Sequence, residues 1–176
     1  MHHLALIFAD IEVTDHWRVA ENEPVVSAPL PTKLRHQKAL HKITEQVNVS
    51  TIEENLLRLT SFHTRYYQTS SGAAAANWVQ AAVESYASTA SKGWNIKVTP
   101  FNHPWIQNSI IIRLEDRNAS QGVNSKDNGV MILGAHLDSV NWLNPWWGRS
   151  PGADDDGSGI KSFPSISSKT NSNQEQ

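Results

Sequence analysis

Three consecutive carboxylates, Asp154, Asp155 and Asp156, stand in a glycine-rich stretch, Pro151-Gly-Ala-Asp-Asp-Asp-Gly-Ser-Gly159. Crowded carboxylates repel one another unless hydrogen bonds or a cation offset the charge, and a divalent metal does this well. Shortly upstream lies Gly134-Ala-His-Leu-Asp-Ser139. In extended backbone, residues i and i+2 project to the same side, which sets Asp138 beside His136. A carboxylate accepting the second ring N–H is what a metal-binding histidine needs to hold its tautomer and orientation. The bland alternatives are a packed or solvated histidine and a solvated acidic turn. A calcium loop fits less well, because the spacing lacks the alternating acids and terminal glutamate of an EF-hand. Each motif is weak alone. Together they offer a strand end carrying His-x-Asp and a following loop carrying an acid cluster. The remaining histidines, His2, His3, His16, His36, His41, His63 and His103, have no such company and are set aside.

The elements that must hold these residues follow from periodicity. Val130 to Leu133 is an unbroken apolar run, and Ser109 to Leu114 contains Ile110, Ile111 and Ile112 in succession. Such runs suit strands buried on both faces of an α/β sheet, and ligands gather where those strands end in loops. Asn95 to Phe101 alternates, with Ile96 and Val98 on one side, as a half-buried strand does. Before the strands the period is helical. One helix is expected over Thr32 to Val47, with Leu40, Ile43 and Val47 inward. A second is expected to start at a capping box of Ser50 and Glu53, its stripe being Ile52, Leu56, Leu59 and Phe62. The third, from about Ala73 to Ala90, turns Trp78, Val79, Ala82, Val83 and Tyr86 inward between Gly72 and Gly93. Residues 1–31 show no sustained period and contain Pro24, Pro29 and Pro31, so they read as a leader and linker. Lys161 to Gln176 is polar and serine-rich, and reads as a disordered tail. The fold class is therefore α/β, an incomplete mixed sheet with flanking helices.

Composition narrows the function. The 176 residues carry 15 Lys and Arg against 17 Asp and Glu, a formal charge of −2. That leaves no basic footprint for nucleic acid, and no apolar stretch approaches the ~20 residues of a membrane span. With no cysteine, thiolate metal sites and cysteine nucleophiles are excluded. The start of the chain does not read as a secretory signal, since Asp10 and Glu12 interrupt a short apolar run. Two sequons, at Asn48 and Asn118, would suit a glycosylated, secreted protein.

Taken as strings, Val130-Met-Ile-Leu-Gly-Ala-His-Leu-Asp-Ser-Val-Asn141 and Pro151-Gly-Ala-Asp-Asp-Asp-Gly-Ser-Gly159 resemble the secreted, fungal-type leucine aminopeptidases among the two-zinc exopeptidases. The resemblance extends back through Leu59-Thr-Ser-Phe-His-Thr-Arg-Tyr-Tyr67 and Ala76-Asn-Trp-Val79 to Pro31, and it makes residues 32–160 the N-terminal part of a catalytic domain. Residues 1–31 would then be a propeptide remnant and linker, and residues 161–176 a tail outside the family. The resemblance implies that His136 binds one zinc, that Asp155 bridges two, and that Asp138 orients the histidine. It implies a peptide substrate with an apolar N-terminal residue, for which Trp142, Trp146 and Trp147 would line a pocket, Trp146 and Trp147 above all, an extracellular location, and a cis peptide after Asp155. The family's further ligands, a Glu, an Asp and a His, and its glutamate base are expected beyond this chain. The expectation is a truncated enzyme, inactive alone, that holds at most one zinc weakly. The rival is a non-catalytic peptide- or metal-binding relative. A tryptophan-rich carbohydrate module ranks below both.

Overall fold

The computed structural model describes residues 3–8, 33, 36–45, 47–90, 93–117 and 130–160. Four strands form one mixed sheet in the order β2-β3-β1-β4: β1 is His3–Phe8, β2 Trp94–Phe101, β3 Ser109–Asp116 and β4 Val130–Ala135. Three helices, α1 (Gln37–Thr44), α2 (Val49–Thr60) and α3 (Ser70–Thr89), separate β1 from β2, and a kinked helical turn, Ala153–Gly157, follows β4. The α/β class and mixed sheet are those the periodicity predicts.

The register is set by β3. It pairs antiparallel with β2, Ile96 opposite Leu114 and Val98 opposite Ile112, and antiparallel with β1, Leu4 opposite Leu114 and Phe8 opposite Ile110. β1 then runs parallel to β4, from His3 opposite Val130 to Phe8 opposite Ala135. The first residues of the presumed leader thus form an inner strand. Six residues are too few to show a sustained period, but Leu4-Ala-Leu-Ile-Phe8 has a strand's composition.

One face of the sheet is covered. Leu59 from α2, Ala76, Val79 and Val83 from α3, Ile110 and Ile112 from β3, and Ala135, Leu137 and Ile160 form the core. Trp78, Ile96, Val98 and Leu114 pack against it from partly buried positions. Each large apolar side chain buried this way contributes about 1.5–3 kcal/mol. Burial on both faces, expected for β3 and β4, does not hold among the described residues. Ile110 and Ile112 are fully buried while Arg113 is exposed, and on β4 Ile132 is 62% and Leu133 51% exposed. An apolar run reports a strand's composition, not which of its faces a helix will reach.

The helix boundaries differ from expectation for local reasons. α2 is capped by Asn48, whose Oδ1 accepts from the Thr51 N–H at 3.3 Å, so Ser50 and Glu53 lie inside the helix and form no box. Asparagine caps as well as serine does, and it comes first. Thr69 caps α3 by accepting from the Gly72 N–H, so Gly72 belongs to the first turn rather than preceding it. A Cβ at Gly72 would lie 2.2 Å from the Tyr66 carbonyl oxygen, so this glycine serves close approach of the chain. α1 is shorter than expected, and its Leu40 is 58% exposed. No helix among the described residues is long and apolar enough to cross a membrane.

Candidate metal centre

β4 delivers the first motif. Past its end the extended alternation persists: Ala135, Leu137 and Ser139 are buried, while His136 and Asp138 are half-buried and line a cleft. The His136 Nδ1 lies 3.2 Å from Asp138 Oδ1, and Nε2 lies 2.7 Å from Asp155 Oδ1. With a carboxylate oxygen facing each ring nitrogen, only the imidazolium donates to both. Burial pulls the His136 pKa down, but the hydrogen bond to Asp155 and the charge of Asp138 outweigh it, and the net direction is up from 6.5. In the metal-free fold this pair is therefore fully stabilising below about pH 6.5, and that contribution is lost as pH rises through the raised value. Burial also pushes the Asp138 carboxyl up, against the opposing pull of His136 and Arg65.

The acid triplet divides its labour. Asp154 is exposed, and its backbone carbonyl accepts from Ser158 Oγ. Asp155 presents an 89% exposed side chain to His136. Asp156 turns inward, its carboxylate accepting from the His136 N–H at 3.1 Å and the Gly159 N–H at 3.2 Å. It thereby ties the loop to the strand end. The peptide between Asp155 and Asp156 is cis, as the resemblance implies.

Arg65 joins the two motifs and was not singled out by sequence reasoning. Fully buried, it donates from Nε to the Leu137 carbonyl at 2.9 Å, from Nη2 to the Gly152 carbonyl at 2.9 Å, and from Nη1 to the Pro151 carbonyl. Burial lowers its pKa, while Asp138, Asp155 and Asp156 push it back up. Its neighbours continue the stapling. Thr64 Oγ1 donates to the Ser139 carbonyl, Ser139 Oγ to the Ser150 carbonyl, and the Ser150 N–H to the His63 carbonyl. The signal available in sequence was Ser61-Phe-His-Thr-Arg-Tyr-Tyr67, which carried resemblance but no chemistry of its own.

Gly152 is the tightest point of this arrangement. Its φ is +52°, and an added Cβ would lie 2.7 Å from Arg65 Nη2, Asp155 O and Ser139 Cβ. The expected result of Gly152→Ala is a loss of at least ~1–2 kcal/mol from the left-handed backbone alone. The clash adds to it, and the midpoint of urea unfolding should fall measurably.

The cleft beside His136 has a volume of about 840 Å³ and is lined by Tyr66, Tyr67, Val140 and Trp142 as well as the acids. The three tryptophans of the loop are placed differently. Trp146 packs edge-on against Tyr66 with centroids 5.6 Å apart, outside the cleft lining. Trp147 is 82% exposed, with its carbonyl 2.9 Å from His63 Nε2. Trp142 lines the cleft. Asn48 is exposed at the α2 cap, whereas Asn118 lies outside the described residues.

Residues 115–175 match the model of Peptidase family M28. The leucine aminopeptidase 1 of Uncinocarpus reesii is 41% identical over 133 residues, covering 73% of this chain and 31% of its own length. That of Arthroderma otae is 35% identical over 153 residues, covering 84% and 38%. The chain resembles the leucine aminopeptidases of Peptidase family M28. It spans about a third of the length of the curated relatives it matches. The fold of this chain also appears in solved structures. LapB from Legionella pneumophila superposes with a TM-score of 0.60 at 24% identity, covering 80% of this chain and 35% of that one. The LapA aminopeptidase of the same organism gives 0.60 at 21%, covering 84% and 37%. The family match continues past Gly159, into residues read from sequence as a tail outside the family; the structure of 161–176 lies outside the described residues, as does that of 9–32.

Proposed function

We propose that this chain supplies the histidine and the bridging aspartate of a two-zinc aminopeptidase centre that removes apolar, leucine-like residues from peptide N-termini. The observation that carries it is the convergence of His136 Nε2 and Asp155 Oδ1 at 2.7 Å while Asp138 holds Nδ1. An imidazole nitrogen and a carboxylate oxygen are the donor types zinc accepts, and with Asp138 at Nδ1 the ring would present Nε2 to a metal once that nitrogen gives up its proton. Among the described residues no third His, Asp or Glu joins them in a metal-holding group, so the reading needs further ligands from outside these residues.

When bound, zinc supplies Lewis acidity toward the scissile carbonyl and lowers the pKa of water. The chain's own residues do the positioning. Asp138 fixes the imidazole, Asp156 anchors the loop through the His136 and Gly159 N–H groups, and Tyr66, Tyr67 and Trp142 give the cleft an aromatic wall for an apolar side chain. The same resemblance supports an extracellular protein glycosylated at the exposed Asn48. The aromatic wall also favours a second reading, a non-catalytic relative that binds peptide without cleaving it.

Titration with Co2+ followed by absorption and calorimetry tests the centre. Asp155→Ala is expected to weaken binding at least tenfold, and His136→Ala to remove it. A proton and a metal compete for Nε2, so wild-type affinity should fall about tenfold per pH unit as pH drops below the raised His136 pKa. Binding indifferent to both substitutions would rule the centre out.

A further inference from the structure

The two segments that carry His136 and Asp155 are not bonded to each other by backbone pairing of the sheet; β4 ends at Ala135, and Asp155 sits in a loop beyond it. Their separation is set by side-chain ties, of which the Asp156 carboxylate on the His136 N–H is one. The guanidinium of Arg65 donates on one side to the carbonyl of Leu137, the residue between His136 and Asp138, and on the other to the carbonyls of Pro151 and Gly152, where the acidic loop begins. The arginine is itself held: its N–H donates to Ser139 Oγ at 3.2 Å, and its carbonyl accepts from the buried Gln107 Nε2 at 3.0 Å. Gly152 in turn accepts the Gly157 N–H at 3.1 Å, which closes the turn around Asp155.

We propose that Arg65 is a positioning residue, a buried fork whose bonds to the Leu137, Pro151 and Gly152 carbonyls fix the distance between His136 and Asp155. The inference rests on the metal-centre reading above, and deepens it. A planar fork with several fixed donors bridges two backbone segments at a set spacing, whereas an ammonium on a flexible stem is a point charge whose three donors impose no such spacing. The role therefore belongs to the shape of arginine as well as to its charge, and the effect on the centre is indirect. Residues that orient metal ligands from behind are typically worth about 10–100-fold in metal affinity.

The test uses the full chain in wild-type form and as Arg65→Lys, Arg65→Met and, as a core control, Val83→Ala. Three quantities are measured: Co2+ affinity, amide hydrogen exchange at His136 and Gly157 without metal, and the thermal midpoint. Both Arg65 variants are expected to weaken Co2+ binding at least ~10-fold. They should also speed exchange at the two amides. Val83→Ala should lower the midpoint while leaving the affinity within about twofold, since it lies in the core away from the cleft. Lysine restoring both readouts would reduce the role to charge and overturn the proposal. So would Val83→Ala weakening the metal as much as Arg65→Met, or both Arg65 variants failing to fold, since either result marks general stability. If the wild-type chain takes up no Co2+, the metal-centre reading fails, and the exchange measurement still decides whether Arg65 sets the loop.

Discussion

A polypeptide of these 176 residues, supplied with zinc at any concentration, is expected to leave leucine p-nitroanilide uncleaved. The reason is a count of donors against what the chemistry requires. His136 is the last histidine in the sequence, and Glu175 is the sole glutamate after it. His136 and Asp155 converge, but two donors leave most of each metal's coordination to water, and a bimetallic centre needs more. A general base is typically worth about 10²–10⁴-fold, and the family resemblance implies a glutamate in that role, which is not among the described residues that line this cleft. Loss of both the full ligand set and the base leaves nothing above background. The relatives that bear the name leucine aminopeptidase extend well beyond the matched region, this chain covering 31% and 38% of two of them. Purified protein assayed with and without zinc checks the expectation. Turnover that survives Asp155→Ala would point to a contaminant. Turnover abolished by Asp155→Ala would mean that these residues, alone or by pairing between copies, complete a working centre, and the reading of the donor set would be wrong.

The parts of this site that were legible in the sequence are those whose chemistry is local. His136 and Asp138 are two apart on an extended backbone, so their proximity follows from the pleat, and the structure puts Asp138 Oδ1 3.2 Å from the ring. The middle position of Asp155 came from resemblance, and its turn toward His136, with Asp156 turned inward, depends on a loop geometry that no periodicity encodes. Arg65 was illegible for a different reason. Its partners are backbone carbonyls 72 residues away at Leu137 and 87 away at Gly152, and a carbonyl is common to every residue. The same holds for the fold. Amphipathic α3 and alternating β2 announce themselves, because each has one wet face. The placement of His3–Phe8 between β3 and β4 does not, since six residues carry composition but no partner. Ser50 and Glu53 match the spacing of a capping box, but Asn48, two residues earlier, caps the helix. The tryptophan loop is a related case: the sequence brings Trp142, Trp146 and Trp147 together, while the packing of Trp146 on Tyr66 and the bond between His63 and the Trp147 carbonyl are long-range, and Trp142 lines the cleft.

Self-association through β4 is the second large effect expected. Among the described residues β4 has a strand on one side, β1, and stands at the edge of the sheet. Adjacent residues of a strand point to opposite faces, so Ile132 at 62% and Leu133 at 51% exposure leave both faces of this edge wet and apolar. An edge of that kind presents unpaired N–H and C=O groups beside hydrophobic side chains, which is the template for adding another strand. Natural edges are blunted by charge, proline or a bulge, and Val130-Met-Ile-Leu-Gly-Ala135 contains no charge and no proline. Each large apolar side chain recovered from water is worth roughly 1.5–3 kcal/mol. A pair of them on each of two chains is comparable with the ~5–15 kcal/mol that holds an ordinary domain folded. The isolated chain should therefore sediment as a concentration-dependent mixture of assemblies and unfold over a broad range of temperature. Ile132→Lys places a charge on the edge without touching the core, and it should shift the chain toward monomer. A wild-type sample that stays monomeric at ~100 µM and melts in one sharp, cooperative step would show that the edge is already protected, since two-state melting marks a self-sufficient small domain. That outcome would also favour the non-catalytic binding relative over a piece of a larger enzyme centre, because a chain that is stable and soluble with two metal donors has no need of the rest.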